Sequence, residues 1–127
     1  EIYKYIQILG ILISSKGIIS LIIAFHNLGD NLSLLPVPVE NSTLITKKSY
    51  NKCRHPIYKE LIYISLGIFI YKLSLFHLLL LVMLSYILKQ KAIIEEKKLM
   101  VLHSSYKEYL ETTPALISYI PYLDWRL

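Results

Sequence analysis

The sequence predicts an all-α integral membrane protein with about three transmembrane helices, one alone and two joined as a hairpin, followed by a C-terminal amphipathic surface helix. Three observations carry this expectation. The 127 residues are 54% hydrophobic and only 18% charged, with a mean hydropathy of +0.47, whereas soluble domains are roughly 45–50% apolar even with glycine counted. Two apolar runs, Ile6 to Phe25 and Ile57 to Leu88, dominate the chain. The basic residues gather in the segments that flank these runs, as topology signals do.

The first run gives a transmembrane helix over 4–26, because at about 1.5 Å per residue it reaches the roughly 30 Å thickness of the hydrocarbon. Lys16 interrupts it near the centre, and its ammonium is expected to face the bundle or to snorkel rather than meet lipid. No small-residue cleavage site follows, so a retained span is expected over a cleaved leader. Residues 27–56 form a connector. Gly29-Asp30-Asn31 ends the helix, Leu35-Pro36-Val37-Pro38 is expected to be extended, and residues 30–53 are expected to be largely irregular.

The second run is too long for one simple span and breaks at Tyr71-Lys72-Leu73-Ser74. Two short antiparallel helices, about 57–71 and 74–89, form the hairpin over 57–89. Residues 90–127 form the C-terminal segment, in which Ala92 to Leu110 reads as an amphipathic helix, either following the hairpin or continuing from it so that one helix spans 74–102 or so, with Leu99, Leu102, Tyr106 and Tyr109 on one stripe. Thr112-Thr113-Pro114 stops it, and Tyr119, Pro121, Tyr122 and Trp125 make an aromatic tail suited to a membrane interface.

Charge orients the chain. Lys47, Lys48, Lys52, Arg54 and Lys59 precede the hairpin, and Lys89, Lys91, Lys97, Lys98, Lys107 and Arg126 follow it, against Lys4 and Lys72 on the other side. The positive-inside bias puts both basic segments in the cytoplasm and suggests the inner, cytoplasmic membrane. The net charge of +5 raises nucleic acid as a partner, but these residues form no RNA- or DNA-binding module. Cys53 is the only cysteine, which excludes a disulfide framework. No pair among His26, His77, His103 and Cys53 has zinc-ligand spacing, so no metal is expected.

Cys53-Arg54-His55-Pro56-Ile57-Tyr58 lies where a basic loop enters the hairpin, and Glu95-Glu96 follows its return. A hairpin brings its ends together, so Arg54, His55 and the paired carboxylates are expected at one polar site at the membrane surface. Each residue also has a plainer reading. Arg54 and His55 serve as interfacial anchors, Glu95 and Glu96 as solvated residues of a first helical turn, and Tyr106 and Tyr109 as packing groups. Cys53 beside Arg54 has no paired base in sequence to make it a nucleophile.

Taken in order, Leu28-Gly29-Asp30-Asn31-Leu32, Leu35-Pro36-Val37-Pro38, Leu44-Ile45-Thr46, Tyr50, Arg54-His55-Pro56-Ile57-Tyr58, Gly67, Glu95-Glu96, Leu99, Tyr106, Tyr109 and Ile120-Pro121 resemble the isoprenylcysteine carboxyl methyltransferase and phospholipid methyltransferase superfamily. The likeness is to its short bacterial members and spans about residues 28–121. Arg-His-Pro-x-Tyr followed by a hairpin and Glu-Glu is a specific combination, though either piece alone is weak. Two departures stand out: Lys48-Ser49 where a Gly-Pro turn is common, and Lys59-Glu60 where a small residue often follows the tyrosine.

The resemblance implies a single membrane methyltransferase-like domain whose cofactor is S-adenosylmethionine, held between the cytoplasmic end of the hairpin and the C-terminal segment. A lipid-like or prenylated acceptor would enter from the membrane lipids. It implies Arg54 and Glu96 as catalytic residues and Tyr50, Arg54, His55, Pro56, Tyr58, Glu95 and Glu96 as cofactor-binding residues. The chemistry accords with such a set, since methyl transfer from a sulfonium needs a cleft, alignment and exclusion of water more than a protein nucleophile. Glu95 or Glu96 suits an α-ammonium, Arg54 a carboxylate, and the rings of Tyr50, His55 and Tyr58 the adenosine and the sulfonium. Two alternatives remain: a non-catalytic small membrane protein, and a membrane lipid or sterol reductase, for which no Gly-rich dinucleotide fingerprint is present.

Overall fold

A computed structural model describes residues 1–29, 46, 49–117 and 124. Among them the chain is helical, with no strand. The helices are α1 (Ile2–Leu28), α2 (Ser49–Lys52), α3 (Pro56–Lys72), α4 (Leu75–Leu102) and α5 (Tyr106–Thr112). Most of the connector, including the Leu35–Pro38 segment and Lys48, and the aromatic tail of Tyr119, Pro121, Tyr122 and Trp125 lie outside the described residues.

Helix α1 holds no proline and extends slightly beyond the expected 4–26. It stops at Gly29, whose φ of 56° is natural only for glycine and whose N–H closes the last turn on Phe25 O. Its three buried residues, Gly10, Gly17 and Ala24, recur every seven residues and so form one stripe. That stripe packs on α3 in antiparallel register. A Cβ added at Gly10 would stand 2.6 Å from Gly67 O, and one at Gly67 would stand 2.6 Å from Gly10 O, so the two backbones touch where only glycine fits. Ser14 Oγ donates to Ile64 O at 3.1 Å, satisfying a hydroxyl that would otherwise face an apolar surface. Lys16 is exposed, with its ammonium 5.9 Å from the centroid of the Tyr63 ring.

The hairpin turn falls where the polar break predicts. Leu73 takes a left-handed conformation at φ 47°, its N–H bonds Phe69 O, and Ser74 caps α4 by accepting from the backbone of His77. Helix α4 does not end near residue 89. It runs 28 residues against the 17 of α3, because Lys89-Gln90-Lys91 contains no helix breaker and polar residues alone do not stop a helix. The expected surface helix over 92–110 is therefore the C-terminal part of α4, a break at His103–Ser105, and the short α5.

Both α1 and α4 are long and apolar enough to cross a membrane; α3, at 17 residues, falls below that measure. Only 17% and 11% of the most apolar stretches of α1 and α4 are buried within the chain, unlike the core helices of a soluble domain. Ile19 and Ile22 on α1 and Leu79, Val82, Met83 and Tyr86 on α4 are all more than half exposed. The compact part of the molecule sits at one end. Ala24, Ile57, Tyr58, Leu88, Ala92, Ala115 and Leu116 form its buried apolar cluster, so the end of α1, the start of α3, the middle of α4 and the segment after α5 converge there.

Candidate functional site

Pro56 sets the local geometry. As the first residue of α3 it lacks only an N–H that the helix would leave unpaired, and it biases His55 toward an extended conformation. The backbone before it is consequently free to bond elsewhere. Arg54 N donates to Pro114 O at 2.9 Å and His55 N to Ala115 O at 3.1 Å, strapping the segment after α5 along the motif. Ala115 N in turn donates to Asp124 O at 2.8 Å. Tyr109 adds a side-chain tie, its hydroxyl donating to Tyr50 O at 2.6 Å and Cys53 O at 3.3 Å.

With the backbone fixed, the side chains of Arg54 and His55 point at α4. His55 Nε2 lies 2.6 Å from Glu96 Oε1 and Arg54 Nη1 lies 3.0 Å from the same oxygen. A carboxylate can only accept, so Nε2 carries the proton. Both contacts fall on Oε1. The Arg54 side chain is fully buried and the Glu96 side chain is 10% exposed. Arg54 Nη2 reaches Asp124 O at 3.4 Å, while Nε finds no acceptor among the described residues and the Nη1 N–H is not aligned on Glu96. Arg54 therefore has more donor capacity than its neighbours satisfy.

A second carboxylate binds next door. The Tyr58 hydroxyl lies 2.7 Å from each oxygen of Glu95. Lys91, one turn earlier on α4, pairs with Glu95, reaches the Tyr58 hydroxyl at 2.5 Å and lies 5.1 Å from the Tyr58 ring centroid. The two carboxylate groups are joined through α3, since the His55 and Tyr58 rings lie 5.2 Å apart and within 3° of parallel. Their pairing shows that Glu95 and Glu96 are not solvated residues of a first turn. They lie in the interior of α4, and Glu96 is buried.

Arg54, His55, Tyr58, Glu95 and Glu96 are thus brought together from positions up to 42 residues apart in sequence. Pro56 is buried at the helix start, and Tyr50 is buried on α2 beneath Tyr109. Burial, with Cys53 and Glu95 adding to it, pushes the Tyr50 phenol well above its usual range. Burial likewise pushes the Cys53 thiol up, the opposite of what a reactive thiolate needs. Lys59 and Glu60 pair with each other at 3.7 Å, and a Cβ at Gly17 of α1 would lie 3.3 Å from Glu60 O.

Several participants escaped the reading of the sequence. Pro114, Ala115 and Asp124 contribute backbone atoms, which leave no signature in side-chain chemistry. Lys91 had one: it precedes Glu95 by four residues, the spacing at which helix side chains meet. No protein-family model matches the chain, and no curated protein matches it.

Proposed function

We propose that this chain is a membrane methyltransferase that uses S-adenosylmethionine and acts on a lipid-like or prenylated acceptor, as its resemblance to the isoprenylcysteine carboxyl and phospholipid methyltransferases implies. The observation that carries the reading is the buried cluster of Arg54, His55 and Glu96, in which the two halves of the motif meet within 3.0 Å. The donor set suits a zwitterionic amino-acid group. Arg54 Nε is a buried donor in need of an acceptor such as a carboxylate, the carboxylates of Glu96 and Glu95 suit an ammonium, and His55 and Tyr58 present parallel ring faces to a cation or a purine.

When bound, the cofactor supplies an electrophilic methyl group on a sulfonium. The chain's own work is to bind and align: Arg54 and Glu96 hold charged ends, Tyr58 fixes Glu95, and the strap over Arg54 and His55 excludes water from that side. Tyr50 and Pro56 act through shape, the first closing the floor and the second fixing the turn into α3.

The same reading sets the chain in a membrane. Their exposed apolar surfaces need a cover, and a bilayer provides it for α1 and α4, with α3 crossing as their shorter partner at about 26 Å. The site then lies at the cytoplasmic face, in the inner membrane, because the described lysines Lys52, Lys59, Lys89, Lys91, Lys97 and Lys98 flank the apolar stretches on that side.

A second reading draws on a specific observation. Glu95 and Glu96 both already hold cations of this chain, as they would in a non-catalytic membrane protein whose cluster only clasps α3 to α4. Titration of detergent-purified protein with S-adenosylmethionine and, separately, with NADPH separates the cases. Saturable binding of the first alone supports the methyltransferase, binding of NADPH supports a reductase, and binding of neither supports the clasp.

A further inference from the structure

The two carboxylates of the site are held unequally. Glu96 is paired with Arg54, whose side chain is fully buried, whereas Glu95 is paired with Lys91, whose side chain keeps 22% of its exposure. Lys91 reaches Glu95 from its own helix, on a flexible four-carbon stem rooted one turn away. What it reaches is a complete cage for an ammonium: the Glu95 carboxylate, the Tyr58 hydroxyl at 2.5 Å and the face of the Tyr58 ring at 5.1 Å. Glu95 does not depend on Lys91 for its position. The Tyr58 hydroxyl lies 2.7 Å from both carboxylate oxygens and ties them to α3.

We propose that Lys91 is a tethered, displaceable occupant of an ammonium subsite formed by Glu95 and Tyr58, and that a ligand's alkylammonium group binds there by displacing it. The inference rests on the proposed function for the setting of the subsite, though not for its chemistry. Two sources present the same group: the α-ammonium of S-adenosylmethionine and the amine of a lipid headgroup. In either case Lys91 lowers the apparent affinity by the fraction of molecules in which it occupies the cage. It thereby acts as an internal competitor, leaving the subsite filled by a cation when no ligand is present, so that Glu95 is not stranded as an unpaired carboxylate.

The test compares wild type with Lys91→Met, which keeps the stem and removes the charge, and with Lys91→Arg, which keeps the charge. Lys91→Gln serves as a second charge-removing variant should the first fold poorly. Equilibrium binding in detergent is measured for S-adenosylmethionine, for lysophosphatidylethanolamine, and for 5′-methylthioadenosine, which has the nucleoside and sulfur but no ammonium. Loss of the Lys91 charge is expected to tighten binding of an ammonium-bearing probe about tenfold. Binding of 5′-methylthioadenosine should be unchanged, Lys91→Arg should stay within about threefold of wild type, and adding Glu95→Gln should abolish the gain.

A gain for S-adenosylmethionine assigns the cage to the cofactor, and a gain for the lipid alone assigns it to the acceptor. Unchanged or weaker binding of both ammonium probes in folded charge-removed variants overturns the subsite. The two readings fail separately. If wild type binds S-adenosylmethionine and loss of the Lys91 charge changes nothing, the methyltransferase stands and the subsite falls. A gain for lysophosphatidylethanolamine with no S-adenosylmethionine binding by any variant gives the reverse.

Discussion

Glu96 has two partners on a single oxygen, and one of them, Arg54, has no exposed side-chain surface. Removing one partner of such a group strands the other in a poorly solvated place. Glu96→Ala is expected to destabilise the protein by about 3–5 kcal/mol, and pairing Arg54→Met with Glu96→Leu to recover most of that loss. Chemical denaturation in detergent measures both; a mild single variant would show the cluster to be better hydrated than its burial indicates. His55→Ala is gentler, because Arg54 remains on Glu96. If the site holds S-adenosylmethionine, that change weakens its binding by about 1–3 kcal/mol, and His103→Ala, at the α4 break, does little. Equal effects of the two on titration would remove His55 from the site.

The residues around the strap predict a pH dependence. Burial, chiefly, holds the Cys53 thiol above its ordinary 9.0 and the phenols of Tyr50, Tyr106 and Tyr109 above 10.0. In each case the folded state binds the proton more tightly than the unfolded chain. The stability these groups contribute is full below the unfolded values and is lost as pH rises through the folded ones, so the thermal midpoint should fall from about pH 9 upward. A midpoint that rises between about pH 9 and 11 would contradict this.

Helices in this chain are positioned by small residues and by turns. A methyl on Gly10 would press on Gly67 O and Tyr71 N, and one on Gly67 on Gly10 O and Ser14 N as well as Ser14 Oγ, so in either case backbone has to shift. Gly10→Ala and Gly67→Ala should each separate α1 from α3 and cost about 1–3 kcal/mol, read as a lower thermal midpoint in detergent. Leu73, in the left-handed conformation, is the opposite case. Leu73→Gly should stabilise the hairpin by about 1 kcal/mol if the turn is as described, and a loss of stability would argue for another turn geometry.

The same elements show how far the sequence could be read. The ends of α1 and the break at Lys72–Ser74 were legible because a glycine and a polar interruption of an apolar run each have a direct local cause. The continuation of α4 to about residue 102 was legible as one of two readings, but the choice between it and a stop near residue 89 was not, since Lys89-Gln90-Lys91 marks where the chain leaves an apolar layer and helices cross such boundaries without stopping. Nor was the stripe of Gly10, Gly17 and Ala24, which has meaning only once α3 lies against it. The convergence of Arg54 and His55 with Glu96 followed from the hairpin, whose two ends must meet. What could not be foreseen was that Glu95 and Glu96 would divide their labour, one facing a buried arginine and the other a partly exposed lysine.

On the scale of the whole molecule, the chain is an apolar shaft with a polar head. The shaft is α1 packed on α3, with α4 alongside. The head, built from the start of α3, the Leu88–Glu96 stretch of α4 and the strap at Pro114–Leu116, holds the buried charges. Such a division suits a protein that meets a soluble cofactor at one end and an apolar acceptor from the side. The most direct measurement is methyl transfer itself. Membranes containing the protein are incubated with S-adenosylmethionine labelled on its methyl group, and the organic extract is counted. The account predicts label in the extract that depends on the protein, is reduced in His55→Ala and is lost in Arg54→Met with Glu96→Leu, both shown to be folded. Label no higher than in membranes lacking the protein, with the wild type folded and the lipids of its own membrane present, would contradict it.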